Sequence, residues 1–152
     1  MKRFPHSVCL ALVVLALLAL GRPALAEERS FQLQRGQISP SLFSKSDTFA
    51  SVQVFGEITH LGLTRGGGLV VLDSHGDAFG AIGTIGFTAA NGDRLYATFV
   101  GSGILDFDGN IGALEGTLTF VGGTGRFADA SGSADLMFLS GVGSSIEGTI
   151  DY

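Results

Sequence analysis

From residue 49 onward the chain is a succession of short apolar-alternating runs, separated by turn signals and interrupted by glycine. No other feature restricts the fold as much. In 51–63 (SVQVFGEITHLGL), alternation places Val52, Val54, Ile58 and His60 on one face, with Gln53, Glu57 and Thr59 on the other beside Phe55 and Leu61. The run 69–72 is apolar throughout, which leaves a strand buried on both faces or an ambiguous segment, and 73–77 (DSHGD) reads as a turn. Asn91-Gly92 joins 80–90 to 93–101, and Asn-Gly between strand-like runs is a strong hairpin signal because both central residues need positive φ. Further runs at 113–121, 133–139 and 145–151 are set off by Asp108-Gly109-Asn110 and Gly141-Val142-Gly143.

With a short leading strand near Phe31 and Leu33, followed by a polar loop to residue 48, this makes about eight strands and almost no helical periodicity. Regular short spacing of that kind predicts an all-β antiparallel sandwich or barrel. Glycine decides between them. The chain has 24 glycines in 152 residues, roughly twice the usual ~7%, and they sit inside apolar runs instead of forming a linker. Glycines within strands permit bends and close backbone approach, as a closing sheet requires. The expected fold is an eight-stranded antiparallel β-barrel with room for side chains and one small ligand.

The first 26 residues read as an export leader. Lys2 and Arg3 precede an uncharged apolar run at 8–20, then a small-residue cleavage signal ending at Ala26. The run is shorter than the roughly 20 residues a spanning helix needs. The expected organisation is therefore a signal peptide at 1–26, a leading strand and polar loop at 27–48, and the barrel at 49–152, with 27–48 belonging to the same domain. Export places the protein in a bacterial periplasm or the outside medium, with no membrane attachment after cleavage. Removing the leader takes basic residues from nine to six against fourteen acidic ones, a net charge near −8. Such a surface is repelled by phosphate backbones, so nucleic acid is not an expected partner. Cys9, the only cysteine, leaves with the leader and takes disulfide and thiolate chemistry with it.

The stretch 120–132 (FVGGTGRFADASG) has the look of a dinucleotide loop. That reading needs a helix of several turns and a second parallel strand. Here the helical potential of 126–130 is cut by Ser131-Gly132-Ser133, and no α/β alternation follows. The better reading is a wide connection between barrel strands. Gly122, Gly123 and Gly125 give it conformational freedom, and Phe127 turns inward to plug one end of the barrel. The segment VGGTGRFADASGSADL resembles the late part of the allene oxide cyclase and dirigent barrels, where a Gly-Gly-Thr/Ser-Gly-x-Phe turn leads into the penultimate strand. Thr59-His60-Leu61-Gly62, Ala90-Asn91-Gly92-Asp93 and the ending Glu147-Gly148-Thr149-Ile150-Asp151-Tyr152 resemble small secreted bacterial proteins of that calycin-type superfamily. The resemblance implies the barrel and, because such barrels in plants associate as trimers, a homo-oligomer. The matched residues are structural, so it implies no catalytic set.

His60 and Tyr152 are the candidate ligand-binding residues, because they are the polar groups on otherwise apolar faces. A buried imidazole in a barrel mouth would serve as a base or a hydrogen-bond donor to a ligand. Each residue has a plainer role as a strand-end histidine or a rim aromatic. The carboxylates fall on polar strand faces or in turns. Asp106-Phe107-Asp108-Gly109-Asn110 lacks the other ligand positions of a calcium loop, His60 and His75 lack metal spacing, and no nucleophile elbow is present. No metal and no cofactor are expected. The expected function is non-catalytic binding of a small apolar molecule in the barrel mouth; the alternatives are a structural or interaction module with a filled barrel and, after it, a cyclase- or isomerase-like enzyme.

Overall fold

The backbone traces eight antiparallel strands, each hydrogen-bonded to the next in sequence, with the last paired to the first. They are β1 (Arg29–Leu42), β2 (Phe49–Ile58), β3 (Gly62–His75), β4 (Ala78–Thr88), β5 (Arg94–Leu105), β6 (Ile111–Gly123), β7 (Ser131–Leu139) and β8 (Gly143–Asp151). The result is a closed barrel in the order β1-β2-β3-β4-β5-β6-β7-β8. A single 3-10 turn, Gly125–Phe127, interrupts the connection from β6 to β7. This computed structural model describes residues 28–43 and 48–152; the export leader expected over 1–26 lies outside them.

Period-two alternation puts one set of side chains inside. Phe31, Val52, Val54, Val70, Ile85, Phe99, Leu118, Leu136 and Ile146 are buried, with Thr64 the one fully buried polar residue among those described. Its hydroxyl donates to the Gly62 carbonyl at 2.9 Å, so the interior keeps no unsatisfied hydroxyl there. Each fully buried Phe or Leu contributes about 1.5–3 kcal/mol by leaving water.

Closing so small a barrel around such large side chains needs space at the strand crossings, and glycine provides it. Gly101 pairs with Gly116 across β5 and β6, and a Cβ on either would fall within 3 Å of both a neighbouring carbonyl and the Phe99 ring. Gly103 likewise makes room for the Phe79 ring. Bare backbone next to a phenyl ring is the small-against-large complement that fills a narrow barrel. Gly36 and Gly56, paired between β1 and β2, let the two backbones approach closely beside the irregular register at Leu33 and Arg35.

The structure corrects the sequence reading in two places. The polar loop expected after Leu33 is strand as far as Leu42, and it holds register with β2 along that length. Its polar outward residues hid it, and so did Pro40, which ordinarily argues against a strand. Proline is tolerated because the β1–β8 ladder covers only Arg29 to Gln32. Further along, the β8-facing amide of Ile38 donates to the Ser144 hydroxyl at 2.9 Å. Pro40 has the same parity and faces a side with no backbone ladder. The apolar run at 69–72 is not buried on both faces either: Val70 and Leu72 point inward, whereas Leu69 and Val71 are exposed on the outside.

Glycines at inward and outward parity should respond oppositely to a methyl group. A Cβ on Gly83 would lie 2.1 Å from the Leu69 carbonyl, whereas one on Gly80 meets nothing within 4 Å. Gly83→Ala is expected to cost about 1–3 kcal/mol through forced backbone shifts. Gly80→Ala should stay within about 0.5 kcal/mol of wild type, on the stabilising side, by restricting the unfolded chain. Urea unfolding of the two variants checks the contrast, and equal losses would refute it.

Candidate functional site

One end of the barrel carries both residues singled out from the sequence. It gathers the β2–β3 turn, the β4–β5 turn, the 120–132 connection and the C-terminus. The connection is held by its own chemistry. Thr124 and Arg94 exchange two hydrogen bonds, from the Arg94 amide to the Thr124 hydroxyl at 2.9 Å and from the Thr124 amide to the Arg94 carbonyl at 2.8 Å. The Asp93 carboxylate accepts from the Asn91 side-chain amide at 2.7 Å and from the Arg126 backbone amide at 3.4 Å. Gly122 and Gly125 have positive φ. A Cβ at Gly125 would collide with that carboxylate, and one at Gly123 would collide with the Arg94 carbonyl. Phe127 is fully buried at the barrel end and packs against the Tyr152 ring, with centroids 5.0 Å apart.

Tyr152 is half-buried on the core. The Arg29 guanidinium lies 4.6 Å from its ring centroid and that of Arg126 lies 5.9 Å away, within the range of cation–π attraction. His60 meets the same ring edge-on at 6.1 Å. The two candidates are therefore neighbours, although 92 positions apart in the sequence.

His60 does not point inward as expected. The alternation ends at Ile58, where the Leu61 amide turns back to the Ile58 carbonyl at 3.1 Å. The imidazole is exposed, and His60 is the one non-glycine residue with positive φ among those described, at 65°. Its backbone carbonyl accepts from the Arg126 guanidinium. Arg126 also faces Asp93 at 3.9 Å, a partly exposed pair at the edge of ion-pair range that contributes at most ~1 kcal/mol. As arranged, this end is a brace of ring stacking and turn-to-turn hydrogen bonds.

Neither His60 nor Tyr152 lines any of five prominent surface clefts. One, of about 400 Å³, lies at the opposite barrel mouth between Pro40, Leu42, Asn110, Ile111, Phe138 and Ser140. A larger one, of about 600 Å³, runs over the outer face of β4 to β7 between Ile104, Met137 and Leu139, with Glu115 and His75 at its edges. Among the described residues no three His, Cys, Asp or Glu side chains cluster as a metal site would. Both oxygens of Asp106 are engaged within its own turn, accepting from Asp108 and Asn110.

The feature that sequence reasoning missed is on the outside. Leu69, Val71, Ile82, Val100, Val121 and Met137 are all exposed. The signal was present in the outward parity of Leu69 and Val71, but a four-residue apolar run conceals its own alternation.

Fold and site together define a closed antiparallel barrel with an apolar interior, one braced end and a partly apolar exterior. The chain matches no protein-family model and no curated protein.

Because His60 sits in a left-handed turn, its backbone is the sensitive part. His60→Gly should leave stability unchanged or raise it, and His60→Val should lower it by about 1–2 kcal/mol, since β-branching is poorly tolerated at positive φ. Denaturant midpoints check the order, and the reverse order would mean that the imidazole packs inside the fold.

Proposed function

We propose that this protein is an exported interaction module of the allene oxide cyclase/dirigent-like barrel superfamily, acting through the outside of a filled barrel and not through chemistry within it. The observation that carries this reading is the interior packing. Phe31 packs against Phe120 and Phe87 with centroids 4.6 and 6.0 Å apart, and Phe79 and Phe99 occupy the space left by glycines on their own and adjacent strands. A ligand-binding barrel spends that volume on a cavity. Exposed apolar side chains on the outer faces support the same reading, since contiguous patches of that kind mark interaction sites. The polar residues at the braced end are engaged in holding turns together, so the enzyme reading has no assembled acid–base pair to rest on.

A second reading, the binder of a small apolar molecule, draws its support from the mouth cleft between Leu42, Ile111 and Phe138. Native mass spectrometry of the protein purified from its own envelope fraction separates the two. The interaction module is expected to carry no stoichiometric small molecule. A co-purifying compound released on denaturation, with Leu42→Asp reducing its occupancy at least tenfold, would replace the module with the binder.

A further inference from the structure

The outer wall from β4 to β8 is apolar toward the open mouth and acidic beside it. In register, Ala78, Ile104, Ala113 and Leu139 form one outward row, and Gly80, Ser102, Glu115, Met137 and Ser145 form the next. The row after that runs through Thr117, Asp135 and Glu147 to Gln32. Ile104 and Met137 are 53% and 56% exposed. They wall the cleft of about 600 Å³, with the small residues Ala78, Gly80 and Ala113 beneath. A second cleft, of about 530 Å³, lies between Thr117, Asp135, Ser145 and Glu147. The two meet at Ser102, Glu115 and Met137.

The acidic part has no cation of its own. β6, β7 and β8 contain no Lys, Arg or His. Asp135 and Glu147 are both exposed and lie directly opposite in register, and like charges so placed destabilise a sheet. Among the described residues, only neutral groups hydrogen-bond them. The Thr117 hydroxyl donates to Asp135 at 3.1 Å, and the Gln32 side-chain amide donates to Glu147 at 3.3 Å. Glu115 stands exposed one row away, where the two clefts join. The isolated barrel loses stability by this arrangement, and a cation brought by a partner restores it.

We propose that this wall docks an extended segment of a partner protein, with apolar side chains over Ile104, Met137 and Leu139 and with Lys or Arg over Glu115, Asp135 and Glu147. This rests on the interaction-module reading and names the partner's chemistry. Shape calls for a flexible segment. The barrel is closed, so no strand edge is free for pairing and side chains must do the recognising. In the closed order β4 and β8 lie half the circumference apart. A flat, rigid partner touches such a wall along a narrow line, whereas an extended chain bends around it. The arc is about 19 Å at ~4.8 Å per strand, or about six residues of ~3.3 Å rise. Charge calls for a basic one. A second copy, with net charge near −8 after leader removal, or a phosphate-bearing partner would bring more negative charge to this wall.

Fluorescence anisotropy with two labelled, end-blocked hexapeptides, Leu-Ser-Leu-Gly-Lys-Lys and Leu-Ser-Leu-Gly-Glu-Glu, is the test on the secreted form. The lysine peptide is expected to saturate, and the glutamate peptide to bind roughly tenfold or more weakly. Glu115→Lys should weaken the lysine peptide by roughly tenfold or more. Glu57→Lys on β2 makes the same change in net charge away from both clefts. It should stay within about twofold of wild type at ~0.15 M salt, where the Debye length is ~8 Å. Ile104→Ser should weaken binding about fivefold without altering charge, and thermal transitions near wild type show that the variants fold. No saturation by about 1 mM lysine peptide, equal binding of the two peptides, or indifference to both cleft substitutions overturns the proposal. So does displacement of the peptide by octylamine at similar affinity, which would make the clefts a small-molecule site. Failure of the peptide alone leaves the interaction-module reading standing with another partner. A stoichiometric compound on native mass spectrometry would remove that reading whatever the peptide does.

Discussion

Close approach of backbone to backbone at inward-facing glycines is the constraint on which this structure depends. A barrel of eight strands has a narrow interior, and glycines on the same and adjacent strands leave room there for phenyl rings. Gly101, Gly103 and Gly116 leave that room for Phe99 and Phe79. Apolar burial of those rings then supplies much of the stability of the barrel. The same closeness fixes register, because at Gly101 and Gly116 a residue with a side chain would clash with the adjacent strand.

The ends of the barrel are unlike one another. One is stoppered by Phe127 and Tyr152, and tied across by Asp93, Thr124 and Arg126. The ties link turns that are distant in sequence. The other end opens as a polar-edged cleft. Between the ends, β7 and β8 carry Asp135 and Glu147 on the outer wall, whereas the middle rows of β2 to β6 from Phe49 to Thr117 and from Ser51 to Thr119 carry no charge.

Much of the fold was legible in the sequence. Alternation in 113–121 and 145–151, together with the Asn91-Gly92 hairpin, corresponds to β6, β8 and the β4–β5 turn. These signals are local, and nothing in the tertiary structure competes with them. Most of β1 was not legible, because a strand with polar outward residues and a proline resembles a loop until its neighbours are known. The free side facing β8, which makes Pro40 acceptable, exists only in the closed barrel. His60 failed for a related reason: alternation continues on paper past Ile58, but the chain reverses there.

By itself the sequence determined the class of fold, the turns and the residue types that fill the interior, because strand periodicity and turn chemistry are properties of neighbouring residues. Only the tertiary structure decided which glycines face inward and which lie bare on the outside. It also decided that His60 and Tyr152 meet, and that Phe49, Val71, Ile82 and Val100 line up in one row. Those are relations between strands, and strand pairing sets them through register, which no single segment contains.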